Sequence, residues 1–206
     1  IKIPWSDYGF YLPTRPVFTL DPALHAGKYY VQEASSMFLE QAIKQTTDLT
    51  QSLRVLDLCA APGGKSTHLL SLLNQNSLLI SNEVIRSRAQ ILSENIQKWG
   101  HSNALVTNSD PAVFQKLKGY FDVIVVDAPC SGEGLFRKDN QATSEWSEEN
   151  IALCSQRQRR ILSDVWPSLK QQGILIYSTC TYNEQENEVN LKWLAENQGI
   201  EFIELN

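Results

Sequence analysis

Two cysteines stand where thiol chemistry is useful. Cys130 lies in "VVDAPCSGEG" (125–134) and Cys180 in "YSTCTYNEQE" (177–186), each in a polar turn directly after an apolar β-type run. A thiolate in such a turn can add to an electrophilic carbon, and a second group beside it can assist release of the adduct. Free cysteine is usually a small buried hydrophobe. That bland reading suits Cys154, on a helical stretch, and the side chain of Cys59, but not two thiols in polar strand-end turns.

A second constellation follows the first apolar run, in "DLCAAPGGKST" (57–67), which spans Cys59, Ala60, Ala61, Pro62, Gly63, Gly64 and Lys65. The glycine pair lets a ligand approach the backbone closely at a helix N-terminus. Gly64, Lys65 and Ser66 fit the second half of a phosphate-binding P-loop, but Cys59 stands where its first glycine belongs. Pro62 also removes a backbone donor from the cradle. A triphosphate site is therefore disfavoured, and the G-x-G-x-x-G dinucleotide pattern is absent. Glu83, Asp110 and Asp127 end the next three apolar runs. An acid about 20 residues past the glycines can bond ribose hydroxyls. Carboxylates at successive strand tips around a glycine turn suit a nucleoside with a cationic, non-phosphate tail.

The elements that position these residues alternate. Residues 53–58, 78–81, 104–107, 121–127 and 173–179 are short runs rich in Val, Ile and Leu, the pattern of strands buried on both faces. Helical stretches lie between them at 65–73, 85–100 (with Gly100 as C-cap) and 149–169, where Leu153, Ile161, Leu162 and Val165 are read as one side. This alternation predicts an α/β fold with a doubly wound parallel sheet. In a strand order of 3-2-1-4-5, strands four and five are neighbours about 4.8 Å apart, so Cys130 and Cys180 face one cleft. Residues 1–34 read as an extended lead-in, 35–45 as a helix capped by Ser35 or Ser36, and 192–205 as a helix, a turn at Gly199 and a sixth strand.

With 206 residues, 42% hydrophobic and 20% charged, the composition is that of one globular domain. No apolar run approaches the roughly 20 residues of a membrane helix, and no signal peptide is read. The first residue is not methionine, so a fragment of a longer protein is expected. Four cysteines without repeated spacing suggest a reducing, cytoplasmic compartment rather than a disulfide framework. His25, His68 and His101 are scattered, and no metal is expected. A net charge of −5 counts against a surface that binds nucleic acid throughout. Local basic clusters remain at Arg137 and Lys138, and at Arg157, Arg159 and Arg160.

Together "LDLCAAPGGKSTHL", "SNEVIRSRAQIL", "NSDP", "VVDAPCSGEG" and "YSTCTYNEQENE" closely resemble the Sun-type family of RNA cytosine-5 methyltransferases. The resemblance covers most of the chain, from about "YYVQEASSM" to the tail. It implies a Rossmann-like class I methyltransferase domain over 35–206, with S-adenosylmethionine bound at Cys59 to Lys65, Glu83, Asp110 and Asp127, and with Arg88 supporting that site. It further implies methyl transfer to carbon 5 of a cytosine in RNA through a cysteine adduct at carbon 6. Spacing leaves open which thiol attacks; the resemblance favours Cys180, with Cys130 assisting release and Asp127 and Lys65 in catalytic support. The "WSDYGFYL" segment looks like the bacterial ribosomal members, so 16S ribosomal RNA is the first expected partner and transfer RNA the second. A non-catalytic RNA-binding assembly factor is the reading from another class. The family's final antiparallel strand and accessory RNA-binding parts have no counterpart here, and a monomer is expected.

Overall fold

The computed structural model describes residues 1–136 and 140–206; Arg137 and Lys138 lie outside the described residues. A short helix α1 (Pro22–His25) precedes α2 (Leu39–Thr46), β1 (Arg54–Asp57), α3 (Gly64–Leu72), β2 (Leu78–Asn82), α4 (Arg86–Trp99), β3 (Ala104–Thr107) and β4 (Phe121–Asp127). Then come α5 (Asn140–Glu145), α6 (Glu148–Val165), β5 (Leu169–Ser178) and α7 (Glu188–Gln198). All strand pairings in the sheet are parallel and the order is β3-β2-β1-β4-β5, as the alternating pattern predicts.

Strand alternation divides the core between two faces. Val55, Leu79, Val123 and Val125 pack with Ile43, Leu69, Leu92 and Ile96 under α2, α3 and α4. Leu56, Ile80, Ile124 and Val126 pack with Ile161, Leu162, Val165 and Leu194 under α6 and α7. Because both faces are covered, β4 reads as a continuous apolar run.

Several local expectations are corrected. Leu153 is 59% exposed, so it does not share the side of Ile161, Leu162 and Val165. The buried stripe of α6 instead runs Ile151, Cys154, Ser155, Gln158, Ile161, Leu162, Val165, each three or four residues from another of the set and so on one face. Pro167 ends that helix early in a single 3₁₀ turn, and β5 then begins at Leu169. Ser35 and Ser36 do not cap α2: a 3₁₀ turn, Ser35–Phe38, leads into it, and backbone carbonyls of Glu33 and Ala34 take the N–H groups of Ser36 and Met37. Gly199 does cap α7 with φ 63°, but the residues after it form no sixth strand. Gly100 caps α4 with φ 78°, as read from the sequence.

Residues 1–34 are docked on α2 by the Gln41 amide on the Trp5 carbonyl, the Lys44–Asp7 pair and a buried carboxylate. Glu40 of α2, 0% exposed, accepts bonds from Lys44 Nζ (2.5 Å), the Asp7 N–H (3.0 Å) and His68 Nε2 (2.9 Å). Burial pushes this carboxyl up, but those donors outweigh it and hold it at about 2, below its ordinary 4.5. The stability so gained is complete above the ordinary value and is lost as pH falls through about 2. Glu40→Ala should therefore cost about 3–5 kcal/mol in denaturant unfolding at pH 7, because a buried ion network loses its centre. A loss below about 1 kcal/mol, the scale of an exposed pair, would refute this account of the docking.

Candidate active site

The parallel topology puts the carboxyl ends of β1, β4 and β5 side by side. Asp57 pairs in register with Val125, and Asp127 with Ser178. The loop after β1 turns at Gly63, whose φ of 116° favours glycine, and α3 starts at Gly64. A cavity of about 230 Å³ opens there. Cys59, Ala60, Ala61, Pro62, Gly64, Lys65 and Asp127 line it, joined by Asp57, Tyr30 and Gln32.

Asp57 was not among the residues singled out from the sequence. Its signal was available: an acid ending the first strand, just before the glycine turn. It is fully buried; Oδ2 accepts Ser66 Oγ at 2.6 Å, while Oδ1 has no partner among the described residues. Desolvation pushes its carboxyl up to about 6. Lys65 Nζ reaches Asp127 Oδ2 at 2.7 Å, and Ser178 Oγ donates to Asp127 Oδ1 at 2.9 Å. The cavity thus carries two carboxylates and one ammonium, a balance that favours a cation over a phosphate.

Gly63, Glu83, Arg88 and Asp110 are not on that cavity wall. Glu83, 2% exposed, directly follows β2 and lies beside Arg88, whose Nη1 is 3.1 Å from Glu83 Oε2. Arg88 Nη2 also donates to the Ala61 carbonyl at 2.8 Å, so this side chain braces the glycine loop against the end of β2. Asp110 accepts the Ala112 N–H at 3.0 Å and Arg160 Nη2 at 2.7 Å, bonds that hold its carboxyl below the usual value. Asn82, also missed, joins three strand ends: its Nδ2 donates to the Leu58 and Ser109 carbonyls, and its Oδ1 accepts Thr107 Oγ1.

Beyond Asp127 the two thiols meet. Cys130 Sγ lies 3.1 Å from Cys180 Sγ, and the Cys180 N–H donates to Cys130 Sγ at 3.3 Å. The thiol hydrogen bond from Cys130 pulls Cys180 down from 9.0 to about 7, and the same bond pushes Cys130 up. The pair therefore favours Cys180, its more exposed member, as the thiolate. By contrast, burial and then nearby carboxylates push the Cys59 thiol up to about 12, and burial raises Cys154, so neither is set up as a nucleophile. Among the described residues no group of three or more His, Cys, Asp or Glu could hold a metal ion, and no helix is long and apolar enough to cross a membrane.

The basic cluster on α6 is largely engaged within the chain. Arg160 pairs with Asp110 and, at 3.3 Å, with Asp164. Arg159 donates to Asn190 and stacks over Trp193 with its guanidinium 5.4 Å from the ring centre.

A five-stranded parallel sheet in this order, with a glycine loop after its first strand, is the Rossmann-like fold of methyltransferases. The chain belongs to the family described as 16S rRNA methyltransferase RsmB/F, which residues 44–205 match. It is 42% identical over 199 residues to ribosomal RNA small subunit methyltransferase F of Pectobacterium atrosepticum, covering 93% of this chain and 40% of that protein. The chain thus spans well under half the length of this curated relative. Among solved structures it is similar to a methyltransferase homolog protein from Pyrococcus horikoshii (TM-score 0.83, 31% identity, all of this chain and 64% of that one). It is also similar to NSun6 from the same organism, solved with SFG (TM-score 0.80, 29% identity, 93% of this chain and 48% of that one).

Proposed function

We propose that the protein transfers a methyl group from S-adenosylmethionine to carbon 5 of a cytosine in 16S ribosomal RNA. In this reading residues 35–206 form the catalytic domain and residues 1–34 the segment leading into it. The observation that carries the reading is the pair of touching thiols at the ends of adjacent strands, 3.1 Å apart. Few methyl transfers need a thiol, and fewer need two. Carbon 5 of cytosine is a weak nucleophile until a thiolate has added to carbon 6.

Cys180, already poised as the thiolate, forms the sulfur–carbon bond at carbon 6. Asp127, at the mouth of the cavity, accepts the exocyclic N–H of the cytosine and so holds the ring edge, while the ring nitrogen takes up a proton from solvent as the thiolate adds. Lys65 steadies the Asp127 carboxylate. Carbon 5 then attacks the electrophilic methyl group that bound S-adenosylmethionine would supply, the methyl–sulfonium bond breaking so that S-adenosylhomocysteine is released. Once Cys180 is alkylated, Cys130 gives its thiol proton to solvent and as a thiolate accepts the carbon 5 proton, so that the ring double bond reforms and Cys180 leaves as thiolate. Cys130, within contact of Cys180, serves this release.

The loop from Cys59 to Lys65 would hold the cofactor, with Asp57 and Asp127 facing its positive charges. The unpartnered buried oxygen of Asp57 fits a cationic ligand. That NSun6 was solved with SFG, an analogue of S-adenosylmethionine, supports the choice. Glu83 and Asp110, at the ends of β2 and β3, are proposed to take the nucleoside, with Arg88 bracing Glu83 and the loop.

Bisulfite sequencing of total RNA, with and without the full-length gene, tests the function. One 16S cytosine should lose its protection when the gene is absent, and an unchanged pattern would refute the reading. The cofactor site is tested by calorimetry. Glu83→Ala should weaken S-adenosylmethionine binding roughly tenfold to a hundredfold, because each hydrogen bond to a charged group is worth about 1.5–3 kcal/mol. Equal affinity would remove Glu83 from the site.

A further inference from the structure

We infer that Glu186 and Asn187 act together as a spacer that sets the distance between the two thiols, with Gln158 locking the spacer to α6. The inference rests on the thiol mechanism above for its catalytic meaning, but its geometry stands independently.

Glu186, Gln158 and Asn190 are each 0% exposed. Glu186 accepts the Ser131 N–H on both carboxylate oxygens, at 3.3 and 3.0 Å, and accepts Gln158 Nε2 at 2.7 Å. Gln158 Nε2 also donates to the Pro129 carbonyl at 3.0 Å. The peptide groups on both sides of Cys130 are thus gripped by one buried carboxylate–amide pair. Asn190 completes it by donating to Gln158 Oε1 at 2.7 Å, which fixes the amide orientation. The backbone of Glu186 is itself pinned, because Tyr177 OH donates to its carbonyl at 2.6 Å.

The next residue grips the other turn. Asn187 Oδ1 accepts Thr179 Oγ1 at 2.7 Å, and Asn187 Nδ2 donates to the Thr181 carbonyl at 3.2 Å. Those contacts flank Cys180 as the first set flanks Cys130. Consecutive Cα atoms are about 3.8 Å apart whatever the fold does around them. Two turns held by consecutive side chains therefore cannot drift independently. A buried carboxylate is costly unless every donor around it is aimed, and here the donors belong to the Cys130 turn and to α6.

The spacer makes Glu186 and Asn187 positioning residues, and they should fail differently. Glu186→Gln sets an amide N–H₂ against another donor, either Gln158 or the Ser131 N–H, and frees the Cys130 turn. Asn187→Ala loosens the Cys180 turn, which keeps its bonds from the Gly134 N–H and to Glu133. Glu188→Gln, exposed on the next position, is the control.

In full-length protein equilibrated with glutathione disulfide, two thiols close to one protein disulfide as two glutathione molecules leave. The yield of the Cys130–Cys180 linked peptide reads their effective concentration without any RNA. Glu186→Gln, which loses charge-assisted bonds, and Asn187→Ala, which loses two neutral ones, should each lower it about tenfold; Glu188→Gln should match wild type. With 16S RNA and cofactor, Glu186→Gln should slow release of the covalent complex more than its formation, and Asn187→Ala the reverse, with cofactor affinity unchanged in both. An unchanged disulfide yield together with unchanged release in Glu186→Gln overturns the spacer. A uniform loss that includes cofactor affinity would also overturn it, because that marks general unfolding. If wild type forms no RNA complex at all while the disulfide yields respond as expected, the spacer stands and the methyl-transfer reading fails.

Discussion

Cys130→Ala, incubated with 16S RNA and S-adenosylmethionine, should accumulate a protein–RNA species that survives denaturing electrophoresis, whereas Cys180→Ala should form none. Addition to carbon 6 needs only the attacking thiolate, so Cys180→Ala loses both adduct and product, by at least about a thousandfold, the scale on which removal of a covalent nucleophile acts. Cys130→Ala keeps the nucleophile and loses the group that serves release, so the reaction stops after methyl transfer.

Electrostatics adds a second readout. The Cys130 thiol donates to Cys180 and is the first cause of its descent to about 7. Without that donor the Cys180 thiol returns toward its ordinary 9.0. At pH 8 the thiolate fraction then falls about tenfold. Attack slows by about that factor, far less than the block in release, so the trapped species still builds up, and faster near pH 9. The pH profile of Cys180 alkylation by iodoacetamide should have its midpoint near 7 in wild type and higher in Cys130→Ala. Equal midpoints would mean that the thiols do not share a proton, and a trapped complex with Cys180→Ala alone would reverse the two assignments.

Gly134→Ala should be nearly as damaging, although residue 134 performs no chemistry. The Gly134 N–H donates to the Cys180 carbonyl at 2.7 Å, and an added Cβ would stand 2.5 Å from that oxygen. Real Cβ contacts are not that short, and the neighbour is backbone rather than a flexible side-chain end. The turn carrying Cys180 must shift, and a displacement near 1 Å at a reacting group can cost about a hundredfold. Single-turnover rates should fall by about that factor, with circular dichroism and cofactor affinity preserved. Gly119→Ala is the contrast: no atom lies within 4 Å of its Cβ position, and its φ of +56° makes the cost one of stability, about 1 kcal/mol. A Gly134→Ala rate within threefold of wild type would show that the Cys180 turn tolerates displacement.

Much of this arrangement was legible beforehand because it is local. The five β-type runs, the glycine turn and the strand-end positions of Cys130 and Cys180 are each contained within about ten residues. Hydrophobic periodicity and turn chemistry act at that range. The failures are also local in cause. Leu153 is apolar yet lies off the buried stripe, and its place was taken by Gln158, a polar residue that the pattern assigns to solvent. The tail after Gly199 has the composition of a strand, but among the described residues no strand pairs with it; its Asn206 backbone instead bonds the Gln45 side chain.

By itself the sequence determined the doubly wound class of fold, the order of its elements and the set of groups gathered at the carboxyl end of the sheet. Alternation and handedness leave few other solutions for such a chain. Only the tertiary structure decided which of those groups touch. The contact of thiols 50 residues apart, the reach of Lys65 across to Asp127 and the engagement of Arg160 by Asp110 each join distant segments. The burial of Glu40 and Glu186 likewise runs against their type. Such pairings depend on strand register, on rotamers and on which donors the surrounding elements aim inward, and those are set by packing of the whole domain rather than by any stretch of the chain.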